Sequence, residues 1–116
     1  MQEIKKIYHN DIGIGFYWKK EENSSQKKVQ LVFRDTGFYL TLSQLKEFSS
    51  IIEHTTKNDA CTNCPHTNCR SILLKTPASF IELAVNKTEL HGVLDLVKGV
   101  LFKIEMQQLM DGICKN

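Results

Sequence analysis

The sequence predicts a single α+β domain in which an antiparallel sheet of five or six strands carries two helices on one face. Three observations support this fold class. Alternating apolar segments fill the first third of the chain, two segments with helical periodicity occur after them, and short polar turns separate the elements. The expected order is strand, strand, strand, helix, loop, strand, strand, helix, over residues 1–116.

Three alternating segments predict the first three strands. They cover residues 12–18, 29–33 and 38–42, with the turn Asp35-Thr36-Gly37 between the last two. In the first strand, the side chains expected to face the core are Ile12, Ile14, Phe16 and Trp18. Three further side chains are expected to point away from the core, as ordinary sheet cover or as a shallow ligand or partner surface: Tyr17, Val32 and Tyr39.

The first helix is predicted to follow these strands directly. Ser43 is a good N-cap, and the helical periodicity continues to about Thr55. The apolar face of this helix consists of Leu45, Phe48, Ile51 and Ile52. After a polar loop, residues 72–74 and 81–85 are expected to form two more strands around a turn at Pro77.

The second helix is predicted over residues 88–113, with an N-cap at Asn86 or Thr88. Its 24 residues as far as Asp111 would extend about 36 Å. A sheet of five- or six-residue strands is only about 17–20 Å deep, so the end of the helix should overhang. The stripe expected to cover the sheet consists of Leu90, Val93, Leu94, Val97, Leu101 and Ile104.

A second group of apolar residues in this helix lies outside that stripe. It consists of Phe102, Met106, Leu109, Met110 and Ile113. Either the first helix or the amino-terminal strand covers them, or they form a partner interface, such as the seam of a homo-oligomer. Gly92 and Gly99 are seven residues apart, so they predict a close packing contact or a break near Gly99, and Gly112 is a natural stop.

The loop of residues 56–70 concentrates the reactive side chains of the chain. Cys61, Cys64 and Cys69 follow a Cys-x2-Cys-x4-Cys pattern, and His66 lies among them. Zinc prefers thiolate and imidazole ligands at about 2.0–2.3 Å, and two cysteines separated by two residues can reach one ion from a tight turn. The pattern therefore predicts a structural zinc site with three sulfur ligands. His66 is the first candidate for the fourth ligand, with His54 and Cys114 as other possibilities.

Other functions of the same thiols remain open. Cys61 and Cys64 could exchange thiol and disulfide, although such pairs usually precede a helix and a strand follows here. An iron–sulfur cluster would need the remote Cys114 as its fourth ligand. The three cysteines could also be free thiols with no role.

Composition and charge exclude several function classes. The net charge is +2, with 15 basic and 13 acidic side chains, which gives no broad field for nucleic acid or a membrane surface. No apolar run approaches the roughly 20 residues of a membrane span, and no secretory leader is apparent, so a cytoplasmic protein is expected. No nucleophile lies in a recognisable catalytic constellation, and the sequence predicts no enzyme activity.

Two segments of the chain resemble a small family of uncharacterised domains found mainly in Bacteroidetes. The first is Val32-Phe33-Arg34-Asp35-Thr36-Gly37-Phe38-Tyr39-Leu40-Thr41-Leu42, which leads into a helix. The second runs from Leu74-Lys75-Thr76-Pro77 to Glu89-Leu90 in the next helix. That family carries no assigned activity, so the resemblance implies no catalytic residues.

These observations predict a small cytoplasmic binding or assembly module with a structural zinc in its cysteine-rich loop and a homo-oligomer interface on its last helix. The alternative is a thiol-dependent redox protein or metal carrier that uses Cys61, Cys64 and Cys69. The sequence assigns no small-molecule ligand.

Overall fold

The computed structural model describes residues 3–19, 27–58 and 69–114, with side chains as far as residue 112. Six strands and two helices make up this part of the chain, which confirms the α+β class. The elements in chain order are β1 (Ile4–Asn10), β2 (Gly13–Trp18), β3 (Val29–Phe33), β4 (Thr36–Leu40), α1 (Leu42–Lys57), β5 (Ile72–Lys75), β6 (Glu82–Val85) and α2 (Lys87–Cys114).

The described strands form two sheets, which corrects the prediction of one sheet of five or six strands. Strands β1 to β4 form an antiparallel meander in sequence order, and β5 pairs only with β6. Strand β4 leads directly into α1, and the β5–β6 hairpin packs the face that carries Leu74 and Val85 against the helices.

Strand β1 was absent from the predicted elements. Its seven residues, IKKIYHN, lack the alternation of apolar and polar residues that identifies a half-buried strand, and none of their side chains is fully buried. Backbone pairing with β2 defines the strand, with a register shift between Lys6 and Tyr8. An edge strand of this kind is set by its neighbour more than by its own sequence.

Strand β2 turns the opposite face toward the helices from the one predicted. Gly15 lies opposite Leu31, and a Cβ atom at Gly15 would meet the side chain of Val100 in α2. Leu31 in turn lies opposite Phe38, whose ring is 5.5 Å from that of Phe48 in α1. Both helices therefore lie on the face that carries Gly15. Two helices on one face of the sheet were predicted, but β2 was predicted to turn its other face toward them.

The other face of the meander carries the side chains of β2 that were predicted to enter the core, and Phe16 is buried there at 7% exposure. Phe16 and Trp18 lie on it with their ring centroids 5.0 Å apart, and the Trp18 Nε1 donates to Gln30 Oε1 at 3.3 Å. Tyr39 shares this outer face and is 40% exposed. Tyr17 instead lies on the helix side and packs against the core. The prediction for Tyr17 was wrong, whereas Val32 and Tyr39 do point away from the helices.

The N-cap of helix α1 is Thr41, which lies two residues before the predicted cap at Ser43. The Thr41 Oγ1 accepts from the Gln44 backbone N–H at 3.1 Å, and the Thr41 N–H donates to Gln44 Oε1 at 2.9 Å. This reciprocal capping box satisfies two backbone groups that Ser43 could not satisfy from inside the first turn. The predicted core positions Leu45, Phe48 and Ile52 are fully buried, and Ile51 is partly buried.

Helix α2 begins after Asn86, one of the two predicted caps. The Asn86 Oδ1 accepts from the Glu89 N–H at 2.7 Å, and the Asn86 N–H donates to Glu89 Oε1 at 3.0 Å. The helix continues without a break through Gly99 and Gly112, so neither glycine ends it. Of the predicted covering stripe, Leu94 and Leu101 are only partly buried, and the remaining members are buried.

Close approach of β1 and its turn to α2 explains the two helical glycines. A Cβ atom at Gly92 would meet Ile12, and one at Gly99 would overlap the ring of Tyr8. The Tyr8 hydroxyl donates to Asp95 Oδ2 at 2.8 Å, which fixes the ring against the helix. The packing role predicted for Gly92 and Gly99 is confirmed.

The last part of α2 extends past the core. Among the described side chains of α2, Ile104 is the last that is buried, and every side chain from residue 105 to 112 is exposed. The longest dimension of the structure is 54 Å. Neither of the two described helices is both long enough and apolar enough to cross a membrane.

Candidate functional site

The distal part of α2 exposes four large apolar side chains, which we name the apolar stripe: Phe102, Met106, Leu109 and Met110. Their exposed fractions are 60%, 42%, 58% and 51% in that order. Spacings of four, three and one residue place them on one side of the helix. All four were predicted as interface residues; the side chain of the fifth, Ile113, lies outside the described residues.

Within the described chain, neither α1 nor β1 covers the apolar stripe. The overhanging residues 105–112 also carry little charge, since Glu105 and Asp111 are their only ionic side chains. Asp111 Oδ1 accepts a hydrogen bond from the Gln107 amide at 2.9 Å, on another side of the helix. Adjacent apolar side chains on an exposed helix end are typical of a protein contact surface.

The predicted zinc ligands fall mostly outside the described residues. Cys61, Cys64 and His66 are among residues 59–68, and the side chain of Cys114 is likewise not described. Cys69 is a half-buried free thiol. His54 is exposed in the last turns of α1, where either ring nitrogen lies 3.2 Å from the Asn58 amide. Among the side chains placed in the structure, no three histidine, cysteine or acidic groups come together as a metal site.

The carboxyl end of the cysteine-rich loop is anchored by an ion-pair cluster. Arg70, the residue after Cys69, donates from Nε to Glu89 Oε1 at 3.0 Å and from Nη2 to Glu89 Oε2 at 2.8 Å. Arg34 Nη1 lies 3.4 Å from the same Oε2 atom, and Arg34 Nη2 donates to the Ala84 carbonyl at 3.2 Å. One carboxylate therefore joins the loop end, the β3–β4 turn and the start of α2.

The Arg70 hydrogen bond holds the pKa of Glu89 below its ordinary value, against the opposing effect of burial. The Asn86 N–H and the Arg34 charge lower this pKa further. Arg34 itself adopts a left-handed backbone conformation with φ of 53°, and its N–H donates to the Ile12 carbonyl. The cluster is thus a fixed structural tie, with its carboxylate ionised at neutral pH.

Sequence reasoning missed this cluster, although part of its signal was present. Asn86 followed three residues later by Glu89 is a capping-box pattern, which predicts that the carboxylate turns back toward the helix start. Nothing in the sequence pairs Glu89 with Arg34, 55 residues earlier. That contact depends on how the meander packs against α2.

The structure also brings four lysines around one cleft beside the distal part of α2. They are Lys5, Lys6, Lys27 and Lys103. Of these, only Lys5 and Lys6 are adjacent in the sequence, and Lys103 lies near the other end of the chain. No local pattern could have indicated this group.

Comparison of the chain with known protein families, with curated proteins and with solved structures found no match. Functional assignment therefore depends on the geometry of the chain itself.

Proposed function

We propose that this protein is a small non-enzymatic assembly module of the cytoplasm that forms a homodimer through the apolar stripe of α2. One observation carries the proposal: the stripe is apolar, continuous along the helix and exposed in the single chain. Closed homodimers with two-fold symmetry are the commonest soluble assemblies, and they use the same surface on both copies.

The order of residues along the stripe suits an antiparallel helix pair. Phe102, Met106 and Leu109 follow the alternating four and three spacing of a coiled-coil seam. In an antiparallel pair, Met106 of one copy would pack near Leu109 of the other, and Lys103 would lie near the second Met110. The arrangement places no pair of like charges together, and methionine adapts its shape to such a contact.

The deciding experiment is light scattering on the purified chain over a range of concentrations. The wild-type protein is expected to pass from monomer to dimer, and Met110→Glu is expected to weaken the dimer by at least about 100-fold. Burial of an unpaired carboxylate in an apolar seam is expected to cost about 2.7 kcal/mol or more of dimerisation free energy, which corresponds to a roughly 100-fold weaker dimer.

Gln108→Glu is the matched control, because it adds the same charge in the same overhang about 140° around the helix from the stripe. It is expected to leave the dimer intact. A wild-type chain that stays monomeric, or a dimer that Met110→Glu leaves unchanged, contradicts the proposal.

As a second part of the proposal, the loop of residues 56–70 holds a structural zinc through Cys61, Cys64 and Cys69, with His66 as the first candidate for the fourth ligand and His54 or Cys114 as the others. The residue types and spacing support this role. The Arg70–Glu89 ion pair is compatible with it, since it holds the chain directly after Cys69 on the core. A redox protein or metal carrier that uses the same three cysteines is the alternative.

A further inference from the structure

The cleft lined by these lysines has a volume of about 350 Å³ and lies between β1, β2 and the distal part of α2. We name it the lysine cleft. Its lining residues are Lys5, Lys6, Ile7, Tyr17, Lys27, Lys103, Ile104, Gln107, Gln108 and Asp111. Clefts of about 300–1,000 Å³ are the usual size of small-molecule sites.

Local structure explains why the cleft forms at this position. The register of β1 against β2 shifts between Lys6 and Tyr8, which interrupts the pairing of the two strands beside Ile7. On the helix, no described side chain after Ile104 is buried, so the cleft opens where α2 leaves the sheet. Strand irregularities of this type often re-aim side chains at functional sites.

The charge of the cleft is strongly one-sided. Among the described lining residues, four are lysines and Asp111 is the one with a carboxylate, which already accepts the Gln107 amide. In the described part of the chain, neither Lys27 nor Lys103 has an ion pair. Ammonium groups gathered around one cavity repel each other, so a bound anion would remove an unfavourable interaction.

The floor of the cleft is apolar. Ile7 and Ile104 contribute aliphatic surface, and the partly buried ring of Tyr17 lies between the sheet and the helix. The Lys27 ammonium is 4.2 Å from the centroid of that ring. Burial raises the pKa of Tyr17, so its phenol stays neutral near pH 7 and adds no negative charge.

We infer that the lysine cleft binds a small organic anion, with its phosphate or carboxylate group between Lys27 and Lys103 and an aromatic body against Tyr17 and Ile104. The lysines supply the attraction for the anion, and the apolar floor supplies the preference for a ring over a free inorganic ion. Gln107 and Gln108 provide further hydrogen-bond donors at the rim.

Titration calorimetry with phenyl phosphate, benzoate, inorganic phosphate and uncharged benzyl alcohol tests this inference. Phenyl phosphate or benzoate is expected to bind one site per chain, at least about five-fold more tightly than inorganic phosphate, and benzyl alcohol is expected not to bind. The stronger of the first two identifies the anion as a phosphate or a carboxylate. Equal binding of phenyl phosphate and inorganic phosphate would overturn the aromatic part of the inference.

Lys103→Gln is expected to weaken this binding by about five- to ten-fold, the effect of one charge at close range to an anion. Lys46→Gln is the matched control, since it removes the same charge from an exposed position on α1. Its affinity should equal that of the wild type. No binding of either aromatic anion, or equal losses in the two variants, would overturn the inference.

Discussion

Glu89 connects three parts of the chain through a single carboxylate. It returns a hydrogen bond to the start of its own helix, receives a two-point contact from Arg70 and approaches Arg34. Its side chain is only 11% exposed, so these donors replace the water that an exposed carboxylate would have. Loss of its charge therefore affects a cap and two ion pairs together.

Glu89→Gln is expected to lower the free energy of unfolding by about 1–3 kcal/mol at pH 7. The folded-state pKa of Glu89 is lowered, so its contribution is fully present above the unfolded-state pKa and is lost as pH falls through the folded value. The wild-type and variant stabilities should then converge in acid. Denaturant unfolding at several pH values measures this difference.

Glu105→Gln is the appropriate control for that measurement, since Glu105 is an exposed carboxylate of the same helix. It is expected to change stability by no more than about 0.5 kcal/mol. A Glu89→Gln difference that stays constant from pH 7 into acid would show that the carboxylate charge is not the stabilising element.

At the scale of elements, helix periodicity and the alternation in β3 and β4 were good guides, whereas the alternation in β2 was not. The buried face of α1 could be predicted because only one side of a helix combines Leu45, Phe48 and Ile52. In β2, both faces contain residues that can be buried. Hydrophobicity favoured Phe16 and Trp18 for the core, whereas the close approach of α2 requires the glycine face.

Gly99 and Gly112 offer a direct test of this close packing within one helix. Gly99→Ala is expected to destabilise the chain by about 1–3 kcal/mol, because the new methyl group would overlap the Tyr8 ring, which Asp95 holds in place. Alanine is the better helix former by up to about 1 kcal/mol, so the expected loss is net of that gain.

The same substitution at Gly112 meets no atom within 4 Å. Gly112→Ala is therefore expected to be neutral or stabilising by up to about 1 kcal/mol. Thermal unfolding of the two variants at equal concentration provides the measurement. A similar loss of stability in both would mean that contact with Tyr8 is not the cause.

At the scale of the whole molecule, the sequence indicated the fold class but not the division into two sheets. Alternation identifies a strand but not the strand with which it pairs. Whether the strands form one sheet or two depends on where β5 packs after α1. The lysine cleft was unpredictable for the same reason, since it assembles residues from both ends of the chain. The apolar stripe could be predicted because it is a property of one helix.

A structural zinc would stabilise the whole chain, because metal binding and folding share one equilibrium. Protein purified under reducing conditions is expected to contain about one zinc per chain. Cys64→Ser is expected to remove the metal and lower the unfolding temperature, as measured by elemental analysis and thermal unfolding.

His91→Ala provides the comparison, since it removes an exposed histidine outside the proposed ligand set and should leave zinc in place. Protein without metal, combined with a low thiol pKa at Cys61 or Cys64, would instead support the redox alternative.

The overhang of α2 has one more consequence. Residues 105–112 form little more than two helical turns with every side chain exposed, and a helix of that length alone is marginal in water. A second copy packed on the apolar stripe would therefore stabilise the helical backbone as well as bury its side chains. In the proposed dimer, association and the helix–coil equilibrium of this segment would be a single cooperative process. A substitution that changes helix propensity in the segment would therefore alter the affinity of the dimer even if its side chain makes no contact with the partner.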